Sequence, residues 1–192
     1  MTLRFATPAD SRVMLEIYRQ YIHTSVTFEY TLPTPAEFAR RLADMQALYP
    51  CLVAVEGQEC LGYAYAHRLR DYAAYQWSAE LTIYLSPGAV GRGIGRRLYS
   101  ALMQVLALQG FHTAYGVVTH PNPASQALHR TLGFVQQGLL AHSGYKNGQW
   151  HGVCWYEKQL RADHDEPQPV IPVDQLPPRA VEGILAAFSQ PD

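Results

Sequence analysis

The sequence predicts an α/β (α+β) layered domain: a mixed, mainly antiparallel central sheet flanked by helices. Three observations carry this. The apolar period switches repeatedly between two and 3.6 residues, giving the order β-α-α-β-β-β-α-β-α-β-β. At 192 residues, with 48% hydrophobic and 16% charged side chains, the chain can build a sizeable core as one domain with a short appendage. Helix starts and stops are marked by capping and glycine signals at the matching places.

Leu3-Arg4-Phe5-Ala6 reads as a short first strand. Thr7-Pro8-Ala9-Asp10 is a helix start, with a capping hydroxyl, a proline at the first position and a carboxylate at the third. Val13, Ile17 and Tyr21 follow at helical spacing. Thr34-Pro35-Ala36-Glu37 repeats the signal, and Phe38, Leu42 and Met45 are its apolar stripe. Leu52–Glu56 and Cys60–Ala66 flank a turn at Gly57-Gln58, as in a hairpin, and a third strand runs from Trp77 to Leu85. Ile94, Leu98, Leu102, Val105 and Leu106 mark a helix that stops at Gln109-Gly110. His112–Thr119 is expected as a strand, Pro123–Leu132 as a helix ended by Gly133, and Phe134–Leu140 and Val153–Leu160 as closing strands. The run Gly144-Tyr145-Lys146-Asn147-Gly148 is expected as the loop between them. Residues 1–160 are thus the main domain. The segment 161–192 is expected to be a separate appendage: 161–179 holds five prolines and reads as an extended linker. Val181, Ile184, Leu185 and Phe188 then mark a short helix, free to dock on this domain or on a partner.

Fifteen basic against sixteen acidic residues leave a formal charge of -1, so no global field favours nucleic acid or an anionic membrane. No apolar stretch is long enough for a membrane span. Met1–Phe5 lacks the apolar run of a secretory leader. Cys51, Cys60 and Cys154 are odd in number and scattered through apolar runs, which predicts buried free thiols and a cytoplasmic setting. The histidines and cysteines have no metal-binding spacing, so no metal is expected.

The chemistry concentrates at Gly91-Arg92-Gly93-Ile94-Gly95-Arg96, between a strand and a long helix. Glycines let the backbone take positive φ and approach a ligand closely. Free amides at the helix start attract phosphate, and Arg92, Arg96 and Arg97 add charge. A ligand-free glycine turn is the alternative reading. A mononucleotide loop needs Gly-Lys-Ser/Thr, and here Arg96-Arg97 follows Gly95. A dinucleotide fingerprint needs a third glycine where Arg96 stands.

The strand-loop-helix pattern instead resembles the coenzyme A pyrophosphate loop of the GNAT superfamily of N-acetyltransferases. Four further segments follow in order: Ser25-Val26-Thr27-Phe28-Glu29, Ala79–Pro87, Asn122–Phe134 and Gly144–Trp150. Together they are similar to the phosphinothricin acetyltransferase branch over about residues 3–160. Two positions depart from the pattern. Val90 stands where the loop usually has Gln or Arg, and Gly152 stands where the branch usually has Asp.

In a strand Glu80, Thr82 and Tyr84 share one face, and Leu81, Ile83 and Leu85 the other. Glu80 is therefore a carboxylate in an apolar stretch, suited by a raised pKa to deprotonating an ammonium group. The resemblance implies that role; a structural ion pair is the alternative. It also implies acetyl-CoA as co-substrate. Ile83, Tyr84 and Leu85 would meet the pantetheine arm through their backbone, and an amide there would polarise the thioester carbonyl. Gly91–Arg96, Asn122 and Ser125 complete the cofactor set. Asn122 also suits an N-cap. His129 stands where many members place the acid that protonates the leaving thiolate, or is a helix-surface histidine touching the coenzyme. Phe28, Glu29, Tyr75, Trp77 and Trp150 fall in segments that border the branch's substrate pocket, and Thr82 joins them from Glu80's face.

The expected activity is transfer of acetyl from acetyl-CoA to the primary amine of a small amino-acid-like molecule, within a ternary complex. A homodimer is expected from the resemblance. The competing expectations are a non-catalytic acyl-CoA-binding module, which Glu80 disfavours, and protein N-terminal acetylation, which a closed aromatic pocket disfavours.

Overall fold

Local capping chemistry sets the helix starts. Thr34 and Glu37 form a reciprocal box: Glu37 N–H donates to the Thr34 hydroxyl at 3.3 Å, and Thr34 N–H donates to the Glu37 carboxylate at 2.8 Å. Helix α2 (Pro35–Gln46) follows. At the first helix, Thr7 N–H donates to Asp10 in the same way at 2.7 Å, and the Arg4 guanidinium grips both Asp10 oxygens at 2.7 Å. Pro8–Asp10 is a 3-10 turn there, and α1 proper is Ser11–Arg19.

The computed structural model describes residues 1–162 and 166–189. Its strands are β1 (Thr2–Phe5), β2 (Cys51–Glu56), β3 (Glu59–Arg68), β4 (Ser78–Leu85), β5 (Thr113–His120), β6 (Val135–Lys146) and β7 (Gln149–Gln159). They form one sheet in the order β1-β2-β3-β4-β5-β7-β6, antiparallel throughout except for β4–β5. Helices α3 (Ile94–Gln109), α4 (Pro123–Thr131) and α5 (Pro178–Ser189) complete the chain. Strand alternation divides the core. Leu52, Ala64 and Leu81 face α3, where Leu98, Leu102 and Leu106 are fully buried. Val53 and Tyr63 face the other way, onto Met14, Ile17 and Leu42 of α1 and α2.

Two expectations are corrected. The segment Gly144–Gly148 is not a loop: β6 runs to Lys146, β7 begins at Gln149, and the turn is Asn147-Gly148 alone. Both turn residues have positive φ, 52° and 80°, the pairing that Asn-Gly supplies in a two-residue hairpin. Nor is 161–179 an extended linker throughout. Val170 packs on the core, and Leu176 and Val181 are buried with Val105 of α3. The Gln109 side-chain amide bonds the carbonyls of Leu48 and Ile171, both at 2.8 Å. The α5 helix docks on its own domain, against α3 and β1, where the Ser189 hydroxyl accepts from Leu3 N–H at 2.8 Å. The three cysteines are buried and unpaired. No described helix is long and apolar enough to cross a membrane.

Candidate active site

The site begins where two strands part. β4 and β5 pair only from Ser78↔Thr113 to Glu80↔Tyr115, and beyond that they separate. The parting strips β4 of partners on one side. Trp77 C=O accepts from His112 N–H on the β5 side, and Ser86 N–H bonds Leu61 O on the β3 side. Alternation between these points turns the backbone groups of Leu81, Ile83 and Leu85 toward the gap and those of Tyr84 toward β3. Leu85 is already engaged: the Tyr21 hydroxyl donates to its carbonyl at 2.5 Å and accepts from its amide at 3.3 Å. Ile83 is therefore the member of the predicted Ile83-Tyr84-Leu85 set whose amide and carbonyl face the gap without that engagement.

At the end of β4 lies the glycine loop. Gly91 and Gly93 have φ of 82° and 77°, and no heavy atom lies within 4 Å of where their Cβ atoms would be. The loop therefore presents bare backbone to open space. Gly93 caps α3, whose first amides, from Ile94, Gly95 and Arg96, have no acceptor within the helix. A Cβ at Gly95 would lie 3.5 Å from the Ile83, Leu85 and Leu128 side chains, so the helix start sits close over the parted strand. Arg96 is exposed beside it. Arg92 pairs with Glu56 at 3.0 Å, so binding a phosphate through Arg92 requires exchanging that partner. These features fit a coenzyme A diphosphate and its linear arm: bare amides and a helix start for phosphate, and an unpaired strand edge for the amide-bearing chain.

A cleft of about 780 Å³ passes through the parting, lined by residues of both sheet faces. It brings together Phe28, Glu80, Thr82, Ile83, Tyr84, Asn122, Ser125 and His129, all named from the sequence. Glu80 is about a quarter exposed, and its carboxylate lies 3.7 Å from His67 Nε2. Burial raises its pKa, against the opposing pull of His67 and Arg70. Asn122 Oδ1 accepts from Ser125 N–H at 3.1 Å, so the capping role is realised at the cleft wall.

His129 is not on a helix surface. It is 2% exposed, stacked on Tyr156 and edge-on to Tyr99 and Phe134. Its Nδ1 lies 2.8 Å from the Ser125 carbonyl, which only accepts, so Nδ1 carries the hydrogen. Nε2 is buried without a partner. Gly116 makes room for it; a Cβ there would lie 2.2 Å from Nε2. Burial lowers the His129 pKa, so the ring is neutral and Nε2 is a lone-pair acceptor.

Other predicted residues lie elsewhere. Glu29 faces a second cavity of about 870 Å³ between α1, α2 and the sheet, where it pairs with Arg41 at 2.6 Å. Tyr75 is exposed on a 3-10 turn before β4. The Trp77 indole donates to the Gln168 carbonyl of the tail. Trp150 is 59% exposed on β7, edge-on to Tyr145. None of these four lines the cleft around Glu80. Gly152 sits opposite the irregular stretch of β6, where a Cβ would lie 3.1–3.2 Å from the Leu140 and Ala141 carbonyls. Sequence reasoning missed Tyr21, Tyr99, Thr27 and His67. Only His67 had a signal: it shares a strand face with Tyr65, but the β3–β4 register alone sets it opposite Glu80. Among the described residues, no cluster of three His, Cys, Asp or Glu is arranged to hold a metal.

Comparisons with known proteins agree with this geometry. Residues 3–155 match the acetyltransferase (GNAT) domain family. A phosphinothricin N-acetyltransferase of Streptomyces viridochromogenes is 37% identical over 175 residues, covering 91% of this chain and 95% of that protein. An L-methionine sulfoximine/L-methionine sulfone acetyltransferase of Salmonella typhimurium is 32% identical, covering 83% and 95%. The crystal structure of a phosphinothricin acetyltransferase from Sinorhizobium meliloti in complex with acetyl-CoA superposes with a TM-score of 0.85, at 38% identity over 91% of this chain and 97% of that one. The chain belongs to the GNAT acetyltransferase family and is an acyltransferase whose co-substrate is acetyl-CoA.

Proposed function

We propose that the enzyme acetylates the primary amine of a small amino-acid-like acceptor, of the phosphinothricin, methionine sulfoximine or methionine sulfone type, by direct transfer with Glu80 as the base. The observation that carries the reading is Glu80's place: a carboxylate of raised pKa in a cleft that passes through the parted sheet. Relatives with those acceptors in their names support the substrate class.

The residues divide the work by face. Acetyl-CoA supplies the acetyl group as a thioester, held by the Gly91–Arg96 loop, Asn122 and the edge of β4. Glu80 takes one proton from the acceptor's ammonium, directly or through a water, and frees its lone pair. The Ile83 amide, facing the gap, donates to the carbonyl oxygen as the C–N bond forms and the C–S bond breaks. The nitrogen's second proton leaves with the sulfur, so coenzyme A departs as a thiol. Neutral His129 has no proton to give on Nε2 and serves as the acceptor for that S–H. Phe28 and Thr82 border the acceptor.

Thiol release measured over amino acids, methionine sulfoximine, methionine sulfone and phosphinothricin tests the substrate class. Turnover with at least one of the last three is expected; none across the panel overturns it. We also propose a homodimer. The outer strand β6 exposes Val135, Leu139 and Leu140, an apolar edge suited to a second copy. Sedimentation of Leu139→Glu should show monomers where the parent shows dimers. Three buried, unpaired thiols support a reducing, cytoplasmic setting.

A further inference from the structure

The hairpin tip at Lys146 is the part of the molecule that the transfer chemistry leaves unexplained. Lys146 is 3% exposed, yet the groups its ammonium donates to are neutral: the Ile22 carbonyl at 2.8 Å and the Thr27 carbonyl at 2.6 Å. Burying an ammonium is costly unless its donors are satisfied. The neighbours repeat the contact. Asn147 Nδ2 donates to the His23 carbonyl at 3.0 Å, and the Tyr30 hydroxyl donates to the Tyr145 carbonyl. Gly144 lies under Phe28, where a Cβ would come within 2.4 Å of the ring. Behind the tip, His151 Nε2 lies 3.0 Å from the Lys146 carbonyl. Four consecutive residues, 144–147, thus hold one segment.

That segment, residues 22–30, has no regular helix or strand of its own. It nevertheless forms a wall of both cavities. Val26, Thr27 and Phe28 line the cleft with Glu80, and Thr27 and Glu29 line the second cavity. Local turn bonds shape only its start, where Thr24 N–H donates to the Tyr21 carbonyl at 2.9 Å; residues 27–30 are placed mainly by what grips them, the hairpin tip together with the Tyr18 hydroxyl, 2.7 Å from that of Thr27.

We propose that Lys146 is a positioning residue for the acceptor: the 144–147 hairpin tip clamps residues 22–30 and thereby sets the wall that separates the transfer cleft from the second cavity. The inference rests on the proposed transfer reaction for its kinetic readout and not for its structural one. The acetyl-CoA side, built on α3 and α4, lies outside the clamp. Loss of the clamp therefore separates the two substrates.

The test uses the full chain with three changes: Lys146→Met, Gly144→Ala, and Gly144→Ala combined with Phe28→Leu. Gly144 has no positive φ, so alanine there acts through the Phe28 ring and not through backbone strain. In Lys146→Met and Gly144→Ala, the acceptor KM should rise roughly 10- to 100-fold while the acetyl-CoA KM stays within about twofold, the signature of a displaced wall. Amides of residues 20–34 should exchange faster by mass spectrometry, with those of α3 unchanged. The double variant should recover protection because the smaller side chain admits the new methyl. Equal rises in both KM values, or unchanged exchange over 20–34 in a folded variant, overturn the clamp. If Lys146→Met does not fold, Gly144→Ala decides. If the parent protein acetylates none of the amines, the transfer reading fails, and the exchange data still decide the clamp.

Discussion

Glu80 is held where the fold opposes its charge, and that has two measurable consequences. In the proposed mechanism its carboxylate is the reactive form, and burial raises its pKa. The acid limb of kcat/KM should therefore lie above the ordinary carboxylate range. Glu80→Gln should abolish that limb and cut turnover at pH 7 by roughly 100-fold or more, with acetyl-CoA binding by calorimetry near normal. Unchanged turnover would remove Glu80 from the chemistry. The stability effect has the opposite sign. A carboxyl with a raised folded pKa loses stability as pH rises from its unfolded value through the raised one, so Glu80→Gln should raise the melting temperature at neutral pH. Asp10 is the converse case. Hydrogen bonding to Arg4 holds its pKa well below the usual range. Its contribution is present above the ordinary aspartate value and lost as pH falls below it. Asp10→Asn should cost about 1 kcal/mol at pH 7, discounted for Arg4's exposure, and nothing at low enough pH. Denaturant midpoints at several pH values check this.

At the scale of elements, the glycine loop is a backbone device. Gly91 and Gly93 occupy left-handed φ with nothing around them, so a methyl there clashes with no neighbour and acts through strain alone. Gly93→Ala should cost about 1–2 kcal/mol in urea unfolding and raise the acetyl-CoA KM more than the acceptor KM. This loop was legible in the sequence because its requirement is local: positive φ, a helix start and a preceding strand all lie within fifteen residues. The β6–β7 hairpin was not. Its glycines suggested a loop, but Gly144 serves the Phe28 ring from a distant segment, and only Asn147-Gly148 turns the chain. A glycine's reason for being small is invisible when the group it makes room for lies over a hundred residues away.

At the scale of the whole molecule, the tail is part of the core. Leu176 is buried against Val105, and α5 covers α3 and β1. Leu176→Ala should destabilise the protein by roughly 2–4 kcal/mol, with specific activity retained in the folded fraction. Prolines obscured this. They predict an extended chain correctly in places, but an extended chain still packs when Val170 and Leu176 fall over an apolar groove.

The sequence by itself determined the element order, the glycine loop, and Glu80, Asn122 and His129 as the residues of interest. These follow from local periodicity, capping chemistry and motif spacing. The tertiary structure alone decided three things. It parted β4 from β5 beyond Glu80, which turned Ile83's amide to the gap. It buried His129 against Tyr99 and Tyr156 and over Gly116, which left Nε2 without a partner. It set the Lys146 tip against residues 22–30, which shaped the wall beside Glu80. Each depends on strand register or on contacts between segments far apart in the chain, and neither is written in any local stretch of residues.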